Sequence, residues 1–138
     1  MDVLRQIDVS DADRALLVKI GADLPIVADI CRADLAIVCR SDERTGVVVA
    51  QGIPHSVTPL YGDDRTGAEV ALSAHAETVR ALQDPPKPER VYTESVRGAT
   101  VARQLFPVWG TSGDLIAEMV SDSYWLAYER QRRRSRVF

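Results

Sequence analysis

The chain has only two cysteines, two histidines and 6% aromatic residues among its 138 positions. Metal and thiol chemistry therefore have little to work with. Cys31 and Cys39 stand eight apart and His55 and His75 twenty apart, spacings that match no zinc motif, so no metal site is expected. Two thiols without a framework imply a reducing compartment, no disulfide and a cytoplasmic location. Both cysteines are expected as core filler on buried faces. No stretch approaches the roughly 20 apolar residues that span a bilayer. The N-terminus "MDVLRQIDVSDAD" is acidic where a secretory signal is basic and then apolar, so neither membrane insertion nor export is expected.

Catalytic signatures are missing as well. There is no G-x-x-x-x-G-K-[ST] loop and no G-x-G-x-x-G after a strand. "GTSGD", residues 110–114, joins two strands and opens no helix, so it reads as a hairpin turn rather than a phosphate nest. His75 in "SAHAETVRAL" matches neither H-E-x-x-[TN]-P nor H-R-x-K-N-N-L and is read as a partly exposed helix histidine. Asp63 and Asp64 are neighbours in a loop, the remaining acids are assigned to solvent, and no nucleophile elbow is present. The chain is not expected to be an enzyme.

What is present is the composition of one soluble domain: 46% apolar and 27% charged residues. The net charge of −3 is uneven. Arg130, Arg132, Arg133, Arg134 and Arg136 lie within the last nine residues and leave −8 for the rest of the chain. An acidic body repels a phosphate backbone, so nucleic acid is not expected as a partner.

Ser10 followed by Asp11 and Asp13 predicts a capped helix start, and Leu17, Ile20, Leu24, Val27 and Cys31 predict its buried face. Pro25 should kink or break this helix by removing the bond to Gly21. "DLAIVCR" and "VVVAQGI", joined by "SDERTG", predict a β-hairpin. A weak strand is expected near residues 57–60. A short helix is expected through "EVALSAHAETVRALQD", with Val70, Ala74, Val79 and Leu82 on one face and "PPKP" stopping it. "ERVYTES", "ATVARQLFPVW" and "LIAEMVS" then read as three strands, with Ser121 and Asp122 capping a final helix. The result is an α+β domain: an antiparallel sheet of five or six strands with helices mainly on one face.

"LPIVADICRADLAIVCRSDERTGVVVAQGIPHSVTPLY" and the later "FPVWGTSGDLIAEMVSD" resemble the N-terminal GAF-like, and more loosely PAS-like, sensor domain of bacterial signal-transduction histidine kinases. Ala28-Asp29-Ile30 and Ala33-Asp34-Leu35 occupy the places of two such segments that lead into the first strand. Phe106-Pro107-Val108 and Leu115-Ile116-Ala117 match a strand end and the apolar strand after it. Trp109 stands where arginine is usual, and Glu118 interrupts the last apolar strand.

The resemblance implies one domain over residues 1–138 that acts as the sensory input of a two-component histidine kinase. A small ligand or partner protein would bind between the sheet and a small helix. By position the lining would come from Cys39, Val49, His55, Tyr61, His75, Val79, Phe106 and Trp109. Residues 121–138 would form an output helix toward downstream PAS and kinase domains, pairing through Trp125 and Tyr128 in a homodimer. The kinase activity would belong to those further domains. The alternative is a stand-alone, non-catalytic ligand- or protein-binding module.

Overall fold

The computed structural model describes residues 3–42, 44–71, 76–82 and 90–137. After a 3₁₀ turn at Val3–Gln6, helix α1 spans Asp11–Cys31. Its first turn is held as the sequence predicts: the Ser10 hydroxyl accepts the Asp13 N–H at 3.1 Å, and Asp11 and Asp13 place negative charge at the helix N-terminus. It ends where Arg32 enters the left-handed region at φ 55° and donates its N–H to the Ala28 carbonyl.

Pro25 does not break the helix in two. α1 is continuous through it, with Pro25 on the exposed side. Leu17, Leu24 and Ala28 are buried against the sheet on both sides of the proline, so tertiary packing holds the helix across the one missing bond. Ile20 and Val27 join that face, whereas Cys31 is exposed and only Cys39 is core.

Strands β1 (Asp34–Arg40), β2 (Thr45–Gly52), β3 (Glu69–Ala71), β4 (Val91–Val96), β5 (Ala99–Trp109) and β6 (Leu115–Tyr124) form one antiparallel sheet in the order β3-β2-β1-β6-β5-β4. Helix α2 (Ala76–Ala81) precedes β4, and α3 (Trp125–Val137) follows β6 directly. β1 is central and covered on both faces, which explains why it reads as a continuous apolar run instead of an alternating one. Leu35, Ile37 and Cys39 face α1, while Ala36 and Val38 face α2. α1 and α3 share one face of the sheet, and α2 lies on the other with residues 53–68.

Three expectations shift. Residues 57–60 are loop, and the third strand is β3, which takes Val70 out of the expected helix. Ser121 and Asp122 do not cap α3. They lie inside β6, paired with Leu35 and Asp34 of β1 and with Gln104 and Arg103 of β5. Hydrogen-bond register with two neighbouring strands outweighs the local capping tendency of a Ser-Asp pair.

The turns follow their residues. Arg97 and Gly98, at φ 50° and 85°, make the two-residue hairpin between β4 and β5. The 110–114 turn is fastened to α1 instead of forming a nest: the Thr111 N–H and hydroxyl donate to Asp13 Oδ1 at 2.8 and 3.0 Å.

α1 crosses β2 almost in contact with its backbone. A Cβ on Gly52 would lie 2.5 Å from the Leu24 carbonyl oxygen and 2.7 Å from its carbon. Gly52→Ala is therefore expected to cost about 1–3 kcal/mol in chemical denaturation. Gly62→Ala, which meets nothing within 4 Å, should be close to neutral in the same assay.

Candidate functional site

The face of the sheet opposite α1 carries a row of charge that sequence alone assigns to solvent. Asp34, Asp122 and Arg103 are register partners on β1, β6 and β5, so their side chains stand side by side across three strands. All three are buried, with Arg103 at 0% exposure. Arg103 grips Asp122 with two parallel bonds, Nε to Oδ1 at 2.8 Å and Nη2 to Oδ2 at 3.0 Å, and its Nη1 lies 3.9 Å from Glu94 on β4. Burial works against the charge of Arg103, and the Asp122 carboxylate outweighs it, keeping the guanidinium protonated.

Residues 53–68 are laid over this row by side-chain anchors. Asp34 Oδ2 accepts the Leu60 N–H at 2.7 Å, and the Tyr61 hydroxyl donates to Asp122 Oδ2 at 3.0 Å. Burial, seconded by the Asp122 charge, pushes the Tyr61 phenol up to about 12. The Arg65 guanidinium stacks over the Tyr61 ring at 3.4 Å from its centre. At the end of α1, Asp29 Oδ1 accepts the backbone N–H groups of His55 and Ser56, which draws its carboxyl below the usual range. Asp29 and Asp34, one from each Ala-Asp segment, thus both anchor the same loop.

Between α2 and the sheet lies a small cavity of about 10 Å³, room for one water molecule. Its walls are Ala36, Val38, Val48, Val70 and Val120, with Arg65, Thr78 and Asp122 as its polar members. Thr78 is fully buried. Among the described residues its hydroxyl, the Arg65 Nε–H and Asp34 Oδ1 have no hydrogen-bond partner. Burial raises the Asp34 carboxyl above its ordinary value, against the pull of the Leu60 and Tyr61 amides.

Two larger openings lie elsewhere. A groove of about 550 Å³ beside the start of α1 is lined by Asp8, Asp13, Asp42 and Asp114 with Arg40. Another of about 280 Å³ runs between the end of α1 and α3, past Phe106, Met119 and Tyr128. Among the described residues no group of His, Cys, Asp and Glu could hold a metal ion.

The expected lining residues do not gather in one place. Tyr61 belongs to the covered charge row, and Val79 is part of α2. Cys39 and Val49 are core residues on the α1 face, and burial lifts the Cys39 thiol to about 12. Phe106 lines the groove beside α3. His55 is exposed, Trp109 is 51% exposed at the end of β5, and His75 lies outside the described residues. On α3, Trp125 and Tyr128 are half-buried with ring centres 5.8 Å apart. Sequence reading missed Arg65, Thr78, Arg103, Asp122 and the burial of Asp34, whose partners are far away along the chain. The nearest thing to a signal was an acid inside an apolar strand.

Comparison with known families decides what kind of domain this is. The profile of the GAF domain of the histidine kinase PdtaS matches residues 3–137. The chain belongs to the PdtaS GAF-domain family. This GAF domain has the fold of the sensor region of a sensor histidine kinase, with a TM-score of 0.69 and 19% identity over 91% of the chain. It spans 41% of that structure's length. An IclR-type transcriptional regulator from Alicyclobacillus acidocaldarius has a similar fold at TM-score 0.51 and 11% identity, covering 88% of this chain and 60% of that one. So does the inducer-binding domain of the transcription factor PobR from Acinetobacter, a double mutant in complex with 3-hydroxybenzoic acid, at TM-score 0.50 and 16% identity over 78% and 82%. No curated protein matches the chain. A GAF domain is a sensory module, and residues 3–137 are accounted for by it without a catalytic kinase domain. No helix among the described residues is long and apolar enough to cross a membrane.

Proposed function

We propose that this GAF domain is the input module of a cytoplasmic two-component histidine kinase, binding a small ligand in the layer between the sheet and α2. The observation that carries the reading is the cavity there, with apolar walls and two unused donors, the Arg65 Nε–H and the Thr78 hydroxyl. Those are the groups an acidic or hydroxylated end of a small molecule would take. An inducer-binding domain of similar fold is a complex with 3-hydroxybenzoic acid. At about 10 Å³ the cavity is closed, so such a ligand acts by favouring a state in which α2 stands further from the sheet.

Native mass spectrometry of the domain purified from its host is the test. A stoichiometric small-molecule mass is expected, lost in Val120→Ile, whose added methyl enters the cavity. A bare chain with unchanged spectra in both proteins sinks the ligand reading and leaves the non-catalytic protein-binding alternative.

The signal would leave through α1 and α3, in a homodimer, toward downstream PAS and kinase domains. The exposed surface supports a contact through α1 beside the one expected at Trp125 and Tyr128. On α1, Val18, Ala22, Ile26 and Ile30 form an exposed apolar stripe at spacings of four, with Ile26 at 65% and Ile30 at 75% exposure, and Leu126 of α3 is also exposed. Trp125 and Tyr128 are more covered than this stripe. Ile26→Asp with Ile30→Asp is expected to convert a dimer into a monomer in light scattering after size exclusion, with the thermal transition retained. Equal masses for the two proteins would remove α1 from the interface.

A further inference from the structure

Glu118 takes no part in the charge row, yet it is fully buried on the same face of the sheet. Its register partners are Val38 on β1 and Pro107 on β5, and Val120 is its next same-face neighbour on β6. Val38 and Val120 are walls of the cavity under α2, so Glu118 neighbours that cavity across the strands without lining it. Neither carboxyl oxygen has a hydrogen-bond partner among the described residues.

Among the described residues, the charged groups of the surrounding elements are engaged or turned away, Arg40 at the end of β1 being exposed and bonded to the Asp42 carbonyl. On β5, Arg103 is held by Asp122 of β6 and by Glu94 of β4. Asp34 lies at the far end of β1, bonded to the loop, and Arg65 is stacked on Tyr61. Arg80 of α2 and Glu69 of β3 are exposed, and β2 presents no ionisable side chain. With no counter-charge on it among the described residues, burial pushes the Glu118 carboxyl from 4.5 up to about 8.

We propose that Glu118 is a proton-operated latch on the α2 layer: protonated, it lets α2 close on the sheet, and loss of the proton favours an open layer in which the carboxylate meets water. The layer that yields is α2, because Glu118 is buried on the sheet face that α2 covers, and because α2 is six residues long whereas 21-residue α1 packs on the opposite face. The signalling meaning of the latch rests on the reading of this layer as the input site, but the opening itself requires no ligand.

The closed layer binds the proton more tightly than the open one, so raising the pH between the two affinities increases the open population by up to about tenfold per pH unit. Amide hydrogen exchange of residues 76–82, corrected for the intrinsic pH dependence and read without added ligand from pH 5.5 to 7.5, tests this. In the wild type, protection over 76–82 is expected to fall up to about 100-fold across that range and to stay below that of β1 at every pH, the mark of an opening short of whole-fold unfolding. Glu118→Gln should show flat protection over 76–82, and Glu118→Met provides the same comparison if the glutamine variant fails to fold. Flat protection in the wild type overturns the proposal. So does protection over 76–82 equal in size to that of β1 at every pH, which would mean that the proton is linked only to whole-fold unfolding, or a fall that survives both substitutions. A stoichiometric ligand on a domain with flat exchange would remove the latch and leave the input site standing.

Discussion

Asp122→Ala is expected to lower stability by about 3–5 kcal/mol, because it leaves Arg103 charged and buried at 0% exposure without its two-bond partner. The Tyr61 hydroxyl loses its acceptor in the same step. For a domain of this size the melting temperature should drop by roughly 10–15 °C. The damage comes from the abandoned charge more than from a large net worth of the pair, since much of the Coulomb attraction offsets desolvation. The double variant Arg103→Met with Asp122→Leu should therefore recover most of the loss. Differential scanning calorimetry of wild type, single and double variants decides the matter. A single variant within about 1 kcal/mol of wild type would mean that water reaches this row.

The second large effect concerns pH. Glu118 holds its proton to about pH 8 in the folded chain against 4.5 in an ordinary carboxyl, so between those values the folded state binds the extra proton. Its contribution is fully present below about pH 4.5 and is lost as the pH rises to about 8, the reverse of a salt-bridged aspartate. Above that range the buried acid costs roughly 3–5 kcal/mol relative to a neutral side chain of the same size. Glu118→Gln should flatten the pH dependence of the urea midpoint between pH 5 and 8, and Glu118→Met should be more stable than wild type at pH 8. Parallel pH curves for wild type and Glu118→Gln would show that the carboxyl ionises without cost. Against the 5–15 kcal/mol typical of a whole domain, a cost of this size is hard to explain by packing alone.

The two effects mark where sequence reading reached its limit. α1, both hairpins and the long β5–β6 pair were legible because each is written in adjacent residues: a Ser-Asp cap, an apolar period, an Arg-Gly turn. β3 was not, since three residues carry too little pattern and Val70 fits a helical period as well as a strand. The charge row was illegible for a deeper reason. Asp34 and Asp122 meet only after β1 and β6 have paired, 88 positions apart, and each acid alone resembles any surface acid. Ser121-Asp122 was even misleading, as a pair that caps helices well and here sits inside a strand. Glu118 did stand out as a charge in an apolar strand, but nothing local distinguishes a solvent-facing acid from a buried one.

β6 passes into α3 at Tyr124–Trp125 without a connecting loop. A loop would absorb displacement as slack, and here there is none, so strand and helix form a single stiff member. Sliding β6 by one residue against its neighbours would carry the root of α3 about 3.3 Å along with it. Asp122 and Glu118 are both mounted on that member, three and seven residues before the helix begins at Trp125. The strand is at once the floor beneath α2 and the root of the arginine-rich helix.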